Sequence, residues 1–558
     1  MPRPSPRSPG KDFWCQAFDQ PHSERSMSMI VNWSKQLISS TATATATVTA
    51  TAISRRTTTI RTINSRYSTT TRSSHNRTMI SVSDLNPAII QAQYAVRGRI
   101  ALRAEQLRAT LQADPDAKNQ LGFDSIINCN IGNPQQLGQK PITFYRQVAC
   151  LTEYPELMDA PEASKLFPKD VVDRARSLLD SIGSVGAYSH SMGVPIIRQH
   201  IAQFIQKRDG FPADPETIYL TAGASAGVSN IMQLLLSKET DGVMIPIPQY
   251  PLYTAALALN SARAVEYYLS EADDWAPNLA GLEEVIRKAQ EEDQTKVRAM
   301  VVISPGNPVG NCLSQESMEA IVRFCFKHKI LLLADEVYQT NIFEPEQRPF
   351  VSFKKVVRGM EESIASGQGL ISFHSISKGQ TGECGRRGGY FELVNIPKEV
   401  QEQVYKMASI QLCPPLAGQI GVDLQVKPPL PGDESYPLFK SEVDSIAQAL
   451  ADRSKTLADS FNRLDGLSCR KAQGAMYLFP KLELPTKAHQ AAEQAGLPVD
   501  EFYCMELLNQ TGICIIPGSG FGQEPGTFHF RTTFLAPQVD DYVARFKQFH
   551  SAFLKTYS

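Results

Sequence analysis

The sequence predicts an α/β fold: a large domain with a mostly parallel central sheet, and a smaller α/β domain that both ends of the chain form together. Two observations support this prediction. Between residues 190 and 425, short apolar runs rich in β-branched residues alternate with stretches that repeat apolar residues at helical spacing. Several of these runs are apolar at every position, which is typical of parallel strands buried on both faces.

Six runs are predicted to be strands, and the residues between them to be helical. One helical stretch is Gln315–Lys327, where Met318, Ile321, Val322 and Cys325 recur on one face. The predicted strands are Thr217–Thr221, Val243–Ile247, Val297–Ile303, Ile330–Ala334, Leu370–Phe373 and Gly389–Val394.

A proline-rich stretch after these strands predicts where the large domain ends. Residues 427–433 read Lys-Pro-Pro-Leu-Pro-Gly-Asp, and residues 437–465 then have the pattern of one long helix. We therefore expect a large domain over residues 186–430. Residues 84–185 are expected to form an N-terminal arm and part of the small domain, which residues 431–558 complete.

Composition and charge exclude several classes of protein. The chain has 558 residues, 42% hydrophobic and 20% charged, and its ten cysteines form no C-x-x-C pair. A disulfide framework or a zinc ribbon is therefore not expected, nor is any other metal site. No apolar run reaches the roughly 18 residues that a membrane-spanning helix needs, so no membrane partner is expected.

Residues 1–83 have the composition of a mitochondrial targeting segment. They carry nine arginines, two lysines and three acidic residues, and residues 27–83 contain no acidic residue at all. Arginine-rich, serine-rich and acid-free sequence is typical of transit peptides. We expect this segment to be disordered and to direct the protein to the mitochondrial matrix, while alternative starts or processing could give a cytosolic form. Because aromatic residues for base stacking are nearly absent, a nucleic-acid partner is not expected.

Two short motifs suggest other chemistries. Gly223-Ala-Ser225-Ala-Gly227 matches the G-x-S-x-G nucleophile elbow of hydrolases, but no later histidine lies in a recognisable loop to serve it. The same glycine-rich turn before a helix can instead hold a phosphate on backbone N–H groups. Ser375-Ile-Ser-Lys378 matches S-x-x-K of penicillin-binding proteins, whose companion motifs are absent from the chain.

Polar residues after the predicted strands form a more coherent set. Asn307 follows the strand at 297–303, Asp335 closes the next strand, and Lys378 follows the strand at 370–373. Arg386 and Arg387 come shortly after that lysine. Each has an ordinary explanation as a turn or cap residue, but ligands of parallel sheets bind at the carboxyl ends of the strands. The pattern predicts a site with a cation, an anion and phosphate donors.

Residues 84–558 resemble the fold-type I aminotransferases that use pyridoxal 5′-phosphate (PLP), and among them the alanine aminotransferases. The resemblance lies in four segments, of which the last is the most specific: Asn130-Ile-Gly-Asn-Pro-Gln135, Tyr188-Ser-His-Ser-Met-Gly193, Pro248-Gln-Tyr-Pro-Leu-Tyr253 and Gly382-Glu-Cys-Gly-Arg-Arg-Gly-Gly-Tyr390. It implies the exchange of L-alanine and 2-oxoglutarate for pyruvate and L-glutamate by a ping-pong mechanism.

The resemblance also implies which residues serve the cofactor. Lys378 would hold PLP as a Schiff base and carry the proton at the substrate Cα, with Asp335 at the pyridine nitrogen. The other residues implied are Tyr338 and Asn307 at the phenolic oxygen, Ala224, Ser225, Ser375 and an arginine at the phosphate, and Tyr250 on the ring. The spacing in aspartate aminotransferases points to Arg386 at the phosphate, whereas the Arg-Gly-Gly-Tyr string favours Arg387. For Tyr250, a simply buried aromatic is the alternative.

For the substrate, the resemblance implies that Arg531 binds the α-carboxylate, beside the backbone of Gly132 and with Asn307 near. A surface strand residue is the alternative for Arg531. Tyr188 would reach the phosphate of a neighbouring subunit, which implies a homodimer with shared active sites. The partners expected are therefore amino acids, 2-oxo acids and a second copy of the chain. Three alternatives stay open: a glutamate:glyoxylate aminotransferase or similar enzyme of this fold, a PLP-dependent lyase, and a regulator with an aminotransferase-like domain.

Overall fold

The computed structural model describes residues 81–92 and 98–558. Except for its last three residues, the predicted targeting segment 1–83 lies outside this range. No helix within the range is both long and apolar enough to cross a membrane.

Helices cover much of this range, and the longest is the one predicted after the proline-rich stretch. Short 3₁₀ turns join several of them. In chain order the α-helices of the described residues are α1 (Pro87–Gln91), α2 (Arg99–Ala113), α3 (Ala117–Leu121), α4 (Thr143–Glu153), α5 (Ala163–Leu166), α6 (Lys169–Ile182), α7 (Pro195–Asp209), α8 (Ala224–Leu235), α9 (Leu252–Leu259), α10 (Leu279–Arg287), α11 (Gln315–His328), α12 (Phe353–Gly359), α13 (Glu362–Gly367), α14 (Lys398–Ile410), α15 (Leu416–Val426), α16 (Tyr436–Phe461), α17 (Thr486–Gln494), α18 (Val499–Thr511) and α19 (Val539–Tyr557).

The strands include all six predicted runs, with bounds shifted by at most two residues. Those of the described residues are β1 (Ile127–Asn128), β2 (Ile218–Thr221), β3 (Asp241–Ile247), β4 (Arg263–Ser270), β5 (Ala276–Pro277), β6 (Lys296–Ile303), β7 (Leu331–Asp335), β8 (Leu370–Ser375), β9 (Gly389–Val394), β10 (Leu467–Ser468), β11 (Tyr477–Leu478), β12 (Lys481–Leu482), β13 (Ile513–Cys514), β14 (Ile516–Pro517) and β15 (Phe530–Thr533).

One eight-stranded sheet organises the large part of the fold, with strand order β2-β9-β8-β7-β6-β3-β4-β5. The pairs β8-β7, β7-β6, β6-β3 and β3-β4 are parallel, whereas β9 runs antiparallel to both of its neighbours. Strand β4 was not predicted from the sequence. Its burial alternates between exposed and buried positions, because it lies near one side of the sheet rather than at its centre.

Within the described residues, three further small sheets lie outside the large one. Strand β1 pairs with β13, β10 with β12, and β15 lies between β11 and β14. The pairing of β1 with β13 joins residues near 127 to residues near 513. Both ends of the described chain therefore contribute to one structure, as the sequence analysis expected.

The buried side chains form separate cores that correspond to these sheets. One contains Ile100, Leu107 and Phe123 together with residues from Leu450 to Phe553. Others cover the two faces of the large sheet. Residues 142–178 pack with α7, α15 and the edge strand β2. The domain limits at residues 185 and 430 stay a prediction.

The register of the central strands determines where the polar residues that follow these strands lie. Ile303 of β6, Asp335 of β7 and Phe373 of β8 are direct neighbours across the sheet. Asn307 and Lys378 follow those ends by a few residues. Because β9 is antiparallel to β2, its first residue Gly389 pairs with Thr221, the last residue of β2. The chain just before β9 is thus brought beside the N-terminus of α8.

Candidate active site

A cavity of about 320 Å³ opens at the carboxyl ends of β6, β7 and β8. This volume is in the range of small-ligand sites. All but one of the residues predicted for the cofactor and the substrate line it: Gly132, Ala224, Ser225, Tyr250, Asn307, Asp335, Tyr338, Ser375, Lys378, Arg387 and Arg531. The structure thus brings together residues that are up to 399 positions apart in the sequence.

Tyr188 is the predicted residue that does not line this cavity. Its side chain is 80% exposed on the surface. Whether it serves a neighbouring subunit stays a prediction.

A carboxylate lies at the floor of the cavity. Asp335 is buried and accepts a hydrogen bond from the Tyr253 hydroxyl at 2.7 Å. Burial raises the pKa of the Asp335 carboxyl, while the bond from Tyr253, the amide of Val337 and the charge of Lys378 oppose that rise. The protein neighbours therefore offset only part of the cost of burying this negative charge, and a cationic group of a ligand would stabilise the carboxylate further.

A lysine and a tyrosine occupy the wall next to this carboxylate. The Lys378 amine lies 5.7 Å from the centre of the Tyr338 ring. The side-chain amide of Asn307 donates to the Tyr338 hydroxyl at 3.2 Å. Burial raises the pKa of Tyr338 well above its ordinary value, so this hydroxyl keeps its proton and remains a donor.

One end of the cavity has the features of an anion site. The backbone N–H groups at the start of α8, at Ala224 and Ser225, point out of a twelve-residue helix. A helix N-terminus carries partial positive charge and unpaired donors. Gly223 precedes it with φ 83°, and a Cβ there would lie 2.4 Å from an Arg387 nitrogen. Glycine at this position lets the Arg387 guanidinium approach the helix start.

The two candidate arginines point to different partners. The Arg387 guanidinium lines the cavity and donates to the backbone oxygens of Ala222, at 3.1 Å, and of Cys384, at 3.0 Å. Arg386 forms an ion pair with Glu383, with 3.3 Å between Nε and Oε2. The geometry therefore favours Arg387 as the arginine of the anion site.

Arg531 also lines the cavity and is only 1% exposed, unlike a surface strand residue. Its Nη1 donates to Asn307 Oδ1 at 3.0 Å and its Nη2 to the backbone oxygen of Asn130, while its buried Nε has no hydrogen-bond partner. Both acceptors are neutral. A buried guanidinium with neutral acceptors and a spare donor is suited to bind a carboxylate.

Several residues at the site were not predicted from the sequence as site residues. Tyr253 does not line the cavity but bonds to Asp335, and the lining residues outside the prediction include Asn133, Ser377, Cys384 and Tyr477. Tyr253 lies three residues after the predicted Tyr250. The sequence therefore offered a signal that Tyr253 is near the site. Tyr477 lies in a two-residue strand without any motif, and the sequence offered no signal for it.

Phe521 also contacts the site, at 4.6 Å between its ring centre and the Arg531 guanidinium carbon. It belongs to the glycine-rich segment Gly518-Ser-Gly-Phe-Gly522, which forms a 3₁₀ turn. This segment therefore borders the arginine end of the cavity.

Comparison with known proteins agrees with this geometry. Residues 159–546 match the family described as aminotransferase class I and II. The mitochondrial alanine aminotransferase of Saccharomyces cerevisiae is 49% identical over 487 residues, which cover 86% of this chain and 81% of the yeast protein. Glutamate–glyoxylate aminotransferase 1 of Arabidopsis thaliana is 46% identical over 476 residues, which cover 85% of this chain and 96% of the plant protein.

Among solved structures, the alanine aminotransferase of Pyrococcus furiosus superimposes with a TM-score of 0.65 at 23% identity, covering 84% of this chain and all of that one. At this identity the likeness concerns the fold, which is that of the fold-type I aminotransferases. The match to the family over most of the chain, together with the relatives above 45% identity, decides the classification: the chain belongs to the class I and II aminotransferases.

Proposed function

We propose that the protein is a PLP-dependent alanine aminotransferase that interconverts L-alanine plus 2-oxoglutarate and pyruvate plus L-glutamate. The single observation that carries the proposal is the cavity itself. It is lined by an amine and a buried acid, by a helix N-terminus with an arginine beside it, and by a second, buried arginine with a spare donor. The yeast relative named as an alanine aminotransferase supports the choice of substrates.

The residues present fit the cofactor at both of its polar ends. Gly223, the start of α8 and Arg387 form a cradle for a phosphate. Asp335, which is buried and only partly compensated, suits a protonated ring nitrogen. When bound, PLP would supply an aldehyde carbon for the amino group and a ring that accepts electrons from the substrate Cα.

The chain's own residues would then divide the work of transamination. Lys378 would hold the aldehyde covalently. Once the substrate has displaced it, its amine would carry the proton at the substrate Cα. Tyr338 and Asn307 would face the phenolic oxygen of the ring, which Tyr250 would cover. Ser375 would join the phosphate cradle.

The substrate would be oriented by its carboxylate. Arg531 would bind the α-carboxylate through its free Nε and one Nη, because a planar guanidinium matches a carboxylate in two parallel hydrogen bonds. The backbone of Gly132 would lie beside the substrate. The same site would bind the amino acid and the 2-oxo acid in turn, which is the order of a ping-pong mechanism.

A glutamate:glyoxylate aminotransferase is the second candidate function. The Arabidopsis relative of that name, which is 46% identical, supports this second candidate. Both functions would use the same lysine, acid and arginine, so the two are separated by the substrate alone.

The purified protein should convert L-alanine and 2-oxoglutarate to pyruvate and glutamate. Lys378→Ala should lower this rate by at least about 100-fold, because the proton carrier and covalent anchor are lost, and should abolish the absorbance of the lysine-bound cofactor. Lys355→Ala, at an exposed lysine on α12, is the matched control and should leave both unchanged. A protein that uses glyoxylate at a much higher kcat/KM than 2-oxoglutarate or pyruvate would establish the second candidate instead.

Arg531→Gln should raise KM for both alanine and 2-oxoglutarate by about 10- to 100-fold, since a charge-assisted pair of hydrogen bonds to each carboxylate is lost. Cofactor absorbance should stay normal. Arg470→Gln, at a partly exposed arginine paired with Asp274, is the matched control. Loss of the cofactor with unchanged KM in Arg531→Gln would place this residue at the cofactor rather than at the substrate.

We also propose that the working unit is a homodimer in which Tyr188 reaches the site of the other copy. Tyr188, Tyr405, Ile410 (77% exposed) and Leu412 are exposed apolar side chains that we assign to one patch. A ring contact of 5.8 Å between His190 and Tyr405 ties the segment of Tyr188 to α14. A cavity beside the patch is lined by Gln411 and by Ala222, the residue before Gly223. A two-fold contact here would pair the patch with itself.

Ile410→Asp should therefore convert the dimer into a monomer, as measured by sedimentation at micromolar concentration, because a charge would be buried in an apolar contact. Leu438→Asp changes a residue that is also exposed, on α16, and should remain dimeric. A wild-type protein that sediments as a monomer in the presence of PLP would refute the homodimer.

We further propose that residues 27–83 direct the protein to the mitochondrial matrix. Support comes from the arginine-rich, acid-free composition and from the yeast relative, which is named as mitochondrial. A fluorescent reporter fused behind residues 27–83 should enter mitochondria. Replacing Arg55, Arg56, Arg61, Arg66, Arg72 and Arg77 of that fusion by glutamine should keep it in the cytosol, and import of the glutamine variant would contradict the role of these charges.

A further inference from the structure

Tyr477 is a residue of the cavity for which neither the sequence motifs nor the proposed mechanism has a role. It comes from β11, which pairs antiparallel with β15, the strand of Arg531. Its side chain is nearly fully buried and lines the same cavity as Lys378 and Tyr338. A buried polar side chain in such a cavity is expected to have a hydrogen-bond partner.

The ring of Tyr477 holds the Arg531 guanidinium in place. The guanidinium carbon lies 4.1 Å from the centre of the Tyr477 ring and 4.6 Å from that of Phe521. Two aromatic faces within this distance stabilise a buried cation and restrict its orientation. Since the guanidinium also donates to Asn307 and Asn130, the remaining donor, Nε, keeps a defined position.

A directed chain of hydrogen bonds leads from Arg531 through Asn307 to the Tyr338 hydroxyl, beside Tyr477. Arg531 can only donate, so Asn307 must turn its oxygen toward Arg531 and its NH₂ group toward Tyr338. The Tyr338 oxygen accepts from that group and has one proton of its own to give. The Tyr477 ring lies edge-on to the Tyr338 ring, with 6.1 Å between the ring centres, and Tyr338 lowers the pKa of Tyr477, as expected if the Tyr477 oxygen accepts this proton.

The charges around Tyr477 favour this direction. Burial raises its pKa, but the cations Lys378 and Arg531 and the hydrogen bond from Tyr338 outweigh burial, while Cys384 acts weakly in the opposite sense. The net result is that the pKa of Tyr477 lies below its ordinary value, whereas that of Tyr338 lies well above. Tyr477 is the better acceptor of the two hydroxyls.

The hydroxyl also fits closely against the chain at Gly132. A Cβ at residue 132 would lie 2.2 Å from the Tyr477 oxygen, so only glycine leaves room for it. The hydroxyl is thus located between the backbone proposed to lie beside the substrate and the tyrosine proposed to face the cofactor.

From these contacts we propose that Tyr477 is a positioning residue that links carboxylate binding to the Lys378 end of the site: its ring orients Arg531, and its hydroxyl holds the proton of Tyr338 in place. The inference rests on the proposed transamination for its kinetic part only. With PLP bound, Tyr338 would have two acceptors for one proton, the phenolic oxygen and Tyr477, and Tyr477 would limit how far Tyr338 can turn.

Two substitutions at one position separate the ring from the hydroxyl. Tyr477→Phe keeps the ring, so KM for alanine and 2-oxoglutarate should stay within about twofold of wild type, while kcat should fall by about 3- to 10-fold as one hydrogen bond is lost. Tyr477→Leu removes the ring, so both KM values should rise by about 10- to 30-fold. Phe521→Leu, the control on the other face of Arg531, should raise KM without lowering kcat.

A readout without cofactor or substrate completes the test. In the cofactor-free protein, a pH titration of tyrosinate absorbance should show one tyrosine that ionises below the rest. That component should be lost in Tyr477→Phe and move to higher pH in Tyr338→Phe. An unchanged titration in Tyr477→Phe, or an unchanged KM in a folded Tyr477→Leu, would overturn the proposal. If the wild-type protein transaminates nothing, the proposed function fails, yet the titration still decides the role of the hydroxyl.

Discussion

The parallel register of three central strands is the constraint on which this active site depends. Ile303, Asp335 and Phe373 stand side by side because β6, β7 and β8 hydrogen-bond in parallel. A slip of one residue would turn every side chain of a strand to the opposite face. It would carry Asp335 away from Tyr253 and remove the acid from the floor of the cavity. The apolar strands that fix this register therefore also fix the distances between the groups that act.

The antiparallel strand β9 adds what the parallel strands alone cannot supply. It brings the chain around Arg387 back to the end of β2, where α8 begins. Helix N-terminus, glycine turn and guanidinium then converge although they come from segments about 165 residues apart. An anion site made from backbone donors and one arginine needs no special loop, because the topology places its parts together.

The polar groups of the cavity are connected by hydrogen bonds. The Arg531 guanidinium is buried against the rings of Tyr477 and Phe521. Asn307 joins it to Tyr338, since its oxygen accepts from Arg531 and its NH₂ group donates to Tyr338. Arg531 and Tyr338 are thereby connected through a single amide group.

The sequence alone predicted the fold class, six of the eight strands of the large sheet and a site formed by Asn307, Asp335 and Lys378 at the strand ends, whereas most other predicted site residues were implied by the resemblance to aminotransferases. It could do so because strand patterns, and polar residues a few positions after them, are local signals. Only the tertiary structure showed that Arg387 lines the cavity while Arg386 pairs with Glu383, brought Tyr253 to Asp335, and set Tyr477 and Phe521 against Arg531. The contacts of Tyr253 with Asp335 and of Arg531 with Asn307 span 82 and 224 positions. Contacts between side chains so far apart in the sequence depend on packing and strand order. A local sequence pattern therefore cannot predict them.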